Sequence, residues 1–260
     1  MEKNQIIIII GIIVAILIGV VLFASFNSDS NDKIGVLVTI VPQAEMVEYI
    51  GGEYVDVTIM VPPGESPHSF EPTPEQMKKV AEASAYFKVD SGVEFEEAHM
   101  DTILEQNSDL KVFDSSEDIS VISFDEHYGK EDHHEEDEHD HDHGGTDPHI
   151  WTSPVNFKKM AKVVYNGLVE IDPDHKEEYY TNYQAYISKI DDLHTNVSNL
   201  LQPYKNQSFM VYHPAWGYFG DTYNLKMIAI EDEGKQPGPS GTIVMIARSL
   251  EKNIPCIFVA

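Results

Sequence analysis

One cysteine, Cys256, stands among 260 residues, so the chain can form no intrachain disulfide and no thiolate metal cluster. Basic residues are also few: 17 Lys and Arg face 44 Asp and Glu, for a formal net charge of -27. Phosphate backbones would be repelled by such a chain, which argues against nucleic acid as a partner. Plain solubility and the attraction of cations both remain open as readings of that acidity. Two enzyme signatures are missing, the HExxH helix and the GxSxG nucleophile elbow. Charge is absent altogether from residues 6–24, IIIIIGIIVAILIGVVLFA. At about 1.5 Å per residue this run spans about the hydrocarbon core of a bilayer. Lys3 precedes it and Asp29 and Asp32 follow, a weak positive-inside signal that puts the rest of the chain outside the cytoplasm. The run is long for a signal peptide. Residues 1–26 therefore read as an uncleaved membrane anchor, with a removed signal segment, leaving a secreted or periplasmic protein, as the alternative. No cysteine follows the run, so a bacterial-type lipoprotein anchor is not expected.

What is present beyond residue 33 alternates between strand-like and helix-like segments. Apolar, β-branched runs at 34–41, 55–61, 85–89 and 110–113 read as buried strands. Helices are expected at 44–50, 73–84 and 93–106, the second with Thr73 as N-cap and Pro74 in the first turn. Residues 125–147 then lose almost all apolar character, with EDHHEEDEHDHDHGG at their centre, and read as a disordered loop. Order should resume at Pro148. From Asp172-Pro173 a helix of about thirty residues is expected, with Tyr183, Ile187, Ile190, Leu193, Val197 and Leu200 forming one apolar stripe. Further strand–helix alternation follows at 208–212, 215–222, 225–230, 243–251 and 254–259. The fold class is α/β: two lobes, each a mostly parallel sheet flanked by helices, joined by one long linking helix. The expected boundaries are 33–170 for the first, metal-binding lobe, 171–203 for the linking helix and 204–260 for a second lobe that reads as incomplete at its C-terminus.

Three histidines sit in loops at element edges: His68 in PPGESPHSFEPTP, His149 in DPHIWTSP and His213 in FMVYHPAWGYF. Two of them follow strands, where open α/β sheets bind ligands. Prolines stiffen each loop: Pro62, Pro63 and Pro67, then Pro148, then Pro214. Neutral imidazole suits zinc better than it suits the hard cations. Each histidine alone could equally be an ordinary surface or hydrogen-bonded residue.

The segments GESPHSFEPTPEQ, DPHIWTSP and VYHPAWGYF, in this order, resemble the solute-binding proteins of zinc and manganese ABC importers. HDHDHGG, just before DPHIW, is similar to the histidine-rich loop of the zinc branch. The resemblance runs from about residue 34 to the end of the chain. It implies that His68, His149 and His213 bind the metal, that the partners are a zinc ion and a membrane ABC permease, and that the chain acts as a monomeric receptor rather than an enzyme. Histidine in the third motif resembles the zinc type, where the manganese type carries glutamate. A family fourth ligand, an aspartate, would lie beyond the last residue of this sequence.

The loop histidines His127, His133, His134, His139, His141 and His143 alternate with acids, which fits a weak multi-ion collector or a solvated charged linker. Asp147, Trp151 and Tyr212 are expected around the ligand histidines, Asp147 as an acceptor that orients one of them. Trp216 and Glu231 are expected near the cleft. His99, His175 and His194 read as incidental on helix surfaces. The rival readings are a manganese or iron receptor of the same fold, an exported zinc-dependent hydrolase, and a metal-buffering or adhesive surface protein. Imidazole must be deprotonated to bind metal, so zinc affinity should fall as pH drops through roughly 6.5, where ordinary imidazole protonates. Zinc titrations repeated at stepped pH would check this.

Overall fold

The computed structural model describes residues 33–123, 145–231, 237–254 and 256–259. The apolar run at 6–24, and residues 124–144 with all six of their histidines, lie outside the described residues. Among the described residues no helix is long and apolar enough to cross a membrane.

The first sheet holds β1 (Ile34–Val38), β2 (Val55–Ile59), β3 (Ala85–Lys88) and β4 (Lys111–Asp114) in the order β2-β1-β3-β4. β3 runs parallel to both β1 and β4, with Val36 beside Ala85 and Ala85 beside Lys111. Val36, Leu37, Val38, Ala85, Tyr86 and Phe87 are all buried. Such unbroken burial is what a parallel sheet covered on both faces requires, and it explains the continuous apolar runs. The covering helices are α1 (Val41–Gly51), α2 (Pro74–Glu82), α3 (Glu94–Gln106) and α4 (Pro154–Ile171). α1 packs on β2 and α4, α4 packs on β3 and β4, and α2 packs on α3. The start of α2 follows the sequence expectation: Gln76 N–H donates to Thr73 Oγ1, Thr73 N–H donates to the Gln76 side chain, and Pro74 occupies the first turn.

The expected helix of about thirty residues is present as a continuous helical run from Pro173 to Tyr204: α5 (Lys176–Leu201), with a 3-10 turn at each end, Pro173–His175 and Gln202–Tyr204. Asp172 shapes its first turn. Its carboxylate accepts from His175 Nδ1 at 2.6 Å and from Tyr179 Oη at 2.5 Å, and Pro173 has no N–H to offer, so the first turn tightens. The expected stripe is only partly buried. Tyr179, Tyr186 and Ile190 are buried, in a helix that packs on α1 and α4, whereas Leu193 and Leu200 are exposed.

The second sheet contains β5 (Ser208–Val211), β6 (Lys226–Ala229) and β7 (Ile257–Phe258) in the order β6-β5-β7, all parallel. α6 (Gly217–Tyr223) joins β5 to β6, and α7 (Pro239–Glu251) lies between β6 and β7 in sequence. In both sheets the chain leaves a strand to one side and returns on its other side, at β1 and at β5. Crevices form at the carboxyl ends of strands at such reversals, and the site lies there.

Gly167 lets α4 settle on the sheet. A Cβ at this position would lie 2.5 and 2.8 Å from two ring carbons of Phe87, which is itself fully buried, and 3.1 Å from Phe113. Gly167→Ala would add about 1 kcal/mol of helix propensity. It would also overpack a ring that cannot retreat, so the net expectation is a loss of about 1–2 kcal/mol. Urea unfolding with an unchanged denaturant slope would measure it.

Candidate metal centre

His149 occupies the bend between residues 146–148 and the turn Ile150–Thr152, and two polar clamps hold that bend. Ser91 Oγ donates to Pro148 O at 2.6 Å, and Thr146 Oγ1 donates to Ser91 O at 3.2 Å. Ser91 belongs to the turn that ends β3, where Asp90 (φ 58°) and Gly92 (φ 97°) both adopt left-handed backbone. Glu96 stabilises this turn from beneath. Its carboxylate accepts from Val89 N at 2.6 Å, from Asp90 N at 2.8 Å and from the Thr39 hydroxyl. Burial raises the Glu96 pKa, and these donors oppose the rise.

The second clamp is Asp147, which is fully buried. Its Oδ1 accepts from both His149 N at 2.9 Å and His149 Nδ1 at 2.7 Å. A carboxylate only accepts, so Nδ1 carries the proton and Nε2 presents its lone pair to the cleft.

The same arrangement occurs at the other two histidines. His213, two residues past β5, donates from Nδ1 to Glu231 Oε2 at 2.8 Å, and Glu231 lies two residues past β6. His68, in the exposed loop between β2 and α2, donates from Nδ1 to Glu94 Oε1 at 2.7 Å, and Glu94 opens α3. Three imidazoles, each fixed by one carboxylate, therefore turn Nε2 away from their anchors. The anchoring weakens in order: the side chains of His149, His213 and His68 are 11%, 33% and 45% exposed.

The Nε2 atoms of His149 and His213 face each other at 3.4 Å. With both protons on Nδ1, neither nitrogen can donate, so two lone pairs point at one place, which a cation or a twice-donating water satisfies. Two ligands about 2.1 Å from a tetrahedral zinc would also lie about 3.4 Å apart. The pair thus stands at ligand spacing. His68 stands further off, its ring edge-on to His213 with centroids 6.3 Å apart, against 5.2 Å for His149 and His213. Among the described residues no three His, Cys, Asp or Glu side chains already enclose a common point at ligation distance. His68 must move inward to complete a three-imidazole set.

The flanking residues divide. Trp151 packs edge-on against His149 with centroids 5.1 Å apart. Tyr212 enters through its backbone: its N–H donates to Phe258 O and its carbonyl accepts from Glu231 N, which seats the carboxylate that holds His213. Trp216 packs on Phe219. The loop bound at residue 147 needs correction, because Thr146 already pairs with Ser123 in an antiparallel bridge and Asp147 is part of the site. His99, His175 and His194 are structural rather than incidental. His99 bonds Phe70 O, His175 stacks on Tyr54 while bonding Asp172, and His194 meets the Tyr223 hydroxyl. Glu94, Glu96, Ser91 and Tyr218 were not expected from the sequence. The buried Tyr218 hydroxyl bonds Ile122 N and Asp147 O, and burial pushes its pKa up to about 12, so it stays protonated and able to donate.

The profile of a family described as zinc-uptake complex component A, periplasmic, matches residues 36–260. Among curated relatives, the manganese-binding lipoprotein MntA of Halalkalibacterium halodurans is 27% identical over 90% of this chain and 73% of its own. The high-affinity zinc uptake system protein ZnuA of Bacillus subtilis is 28% identical over 89% of this chain and 72% of its own. The zinc-binding lipoprotein AdcA of Streptococcus pneumoniae is 27% identical over 94% of this chain, which spans only 48% of that relative's length. A crystal structure of ZnuA superposes with TM-score 0.76 at 31% identity, covering 87% of this chain and 82% of that one. A zinc-bound ZnuA deletion mutant gives TM-score 0.74 at 32% identity, covering 87% and 81%.

Asp147→Ala would leave the buried His149 N–H without its acceptor. The expected cost is about 1–3 kcal/mol of folding stability, read as a lowered urea midpoint in metal-free protein.

Proposed function

Because the chain belongs to the family of zinc-uptake component A proteins, we propose that it is an extracytoplasmic receptor that captures zinc and delivers it to an ABC-type metal importer. The observation that carries this reading is the facing pair of proton-free Nε2 atoms on His149 and His213, 3.4 Å apart. An uncharged pair of this kind is a poor hydrogen-bonding partnership and a good half-site for a borderline-soft cation.

His68 supplies the third nitrogen. The gradient of anchoring gives the order of events: His149 and His213 receive the ion, and the exposed loop carrying His68 closes on it. Three imidazoles leave one tetrahedral position for water or a further oxygen donor. All-nitrogen donation from the protein favours zinc, whereas the hard cations prefer oxygen. That is why zinc is chosen over manganese, although MntA is a manganese-binding relative. The chain acts as a monomer and as a binding protein. Residues 6–24 tether it to the membrane outside the cytoplasm, and the insert that ends before Thr146, with His133, His134, His139, His141 and His143, collects zinc weakly. Docking on the permease separates the two lobes enough to break the ligand set, within the limits set by α5.

Zinc titration of the full chain should show one tight site that survives deletion of residues 125–145. His149→Ala and His213→Ala should each weaken it by more than the roughly 10–100-fold that loss of an outer partner costs. A site that disappears with the deleted residues instead would move the function to the loop. Tighter binding of manganese than of zinc in competition would make this a manganese receptor.

A further inference from the structure

Residues 122 and 147 stand opposite each other beside the antiparallel bridge between Ser123 and Thr146. Such a pair ordinarily exchanges two backbone bonds, N–H to O in each direction. Here only one is made: Asp147 N–H donates to Ile122 O at 2.8 Å. The reciprocal bond is interrupted by a phenol. The Tyr218 hydroxyl accepts from Ile122 N at 3.0 Å and donates to Asp147 O at 2.9 Å, so it stands inside the ladder as a spacer. Tyr218 comes from the other lobe, in the first turn of α6 and five residues after His213.

This insertion closes a circuit. From Tyr218 it passes to Asp147, whose carboxylate holds His149 at two atoms, then from His149 Nε2 across to His213 Nε2. From His213 it returns to Tyr218 through a short, stiff stretch: Ala215 N–H donates to His213 O at 2.8 Å, Pro214 is buried, and Gly220 N–H donates to Trp216 O at 2.9 Å. The phenol therefore sets how far residue 147 stands from residue 122, and so where Asp147 presents its carboxylate. If the hydroxyl were absent, Ile122 N and Asp147 O would each lose the bond it supplies. Facing each other across the ladder, they can then close the missing rung directly, which draws Asp147 and His149 away from His213.

We propose that Tyr218 is a positioning residue for the metal centre, its hydroxyl holding the ladder between Ile122 and Asp147 open and so fixing the spacing of His149 and His213. The proposal rests on the reading of those two histidines as zinc ligands. It requires no contact between Tyr218 and the ion.

Tyr218→Phe tests it, since the ring is kept and only the hydroxyl is lost. Zinc affinity of the full chain, measured by competition with a chelator of known affinity, should fall roughly 10-fold, as for other outer partners of metal ligands. The 15N signals of the His149 ring in metal-free protein should shift as well, which a merely supporting role would not produce. In the Asp147→Ala background, Tyr218→Phe should cost less than in wild type, because part of its effect passes through the Asp147 carboxylate that is already gone. Thr222→Val removes the Ser153–Thr222 hydroxyl bond, which also joins the two lobes, and should leave zinc affinity within about twofold of wild type; the larger fold-change expected for an outer partner is the comparison. Wild-type zinc affinity in Tyr218→Phe, with or without a lowered melting temperature, would overturn the proposal. So would full additivity with Asp147→Ala, or an equal loss in Thr222→Val. If His149→Ala and His213→Ala both leave zinc binding intact, the zinc-site reading itself falls, and the failure is assigned there rather than to Tyr218.

Discussion

A carboxylate taken wholly out of water needs donors from the protein, because an uncompensated buried charge costs several kcal/mol. Asp147 meets that need with the backbone and ring N–H of His149, and its own N–H and carbonyl are tied to Ile122 and Tyr218. Much of the site follows from this requirement. The bend at 146–149 is held at Asp147 N and O, at Pro148 O and at His149 N and O, the proton of His149 is confined to Nδ1, and the second lobe is joined to it by the Tyr218 phenol. Glu231 and Glu94 repeat the device with progressively more water around them. The three histidines are accordingly graded, His149 held most firmly and out of water, His213 less so and His68 least.

A second buried carboxylate supports the first from below. Glu96 is nearly inaccessible and gathers Thr39, Val89 and Asp90, so the ends of β1 and β3 are fastened at the point where the sheet's strand order reverses. The left-handed turn at Asp90–Gly92 can be maintained because these bonds over-determine it. Ser91 then transmits that fixed geometry to Pro148, next to His149.

Much of this was legible in the sequence. The alternating apolar runs gave the sheets, Thr73-Pro74 gave the start of α2, and the proline-flanked histidines marked three loops, two of which meet at ligand spacing in the fold. Other features were hidden for identifiable reasons. Glu94 and Glu96 lie in a helix start already rich in acids, where the helix dipole favours carboxylates regardless of role, so neither residue type nor position distinguishes them. Tyr218 lies within WGYFGDTY, where any aromatic reads as core. The tightening of the first turn to 3-10 geometry depended on side-chain bonds from Asp172 to His175 and Tyr179, which periodicity does not register. The stripe on α5 failed at Leu193 and Leu200 because a period of 3.6 predicts a shared face, not the extent of the neighbours that cover it.

The bridge between Ser123 and Thr146, with Asp147 bonded to Ile122 beside it, fastens the two ends of the insert before residue 124 and after residue 144. With its ends already joined, the insert is thermodynamically a closed excursion, and each doubling of its length adds only about 0.6 kcal/mol of closure cost. Its length and histidine content are thereby released from the demands of folding. Such a segment can be lengthened or trimmed at little folding cost, while its two ends still meet at the same rung beside His149.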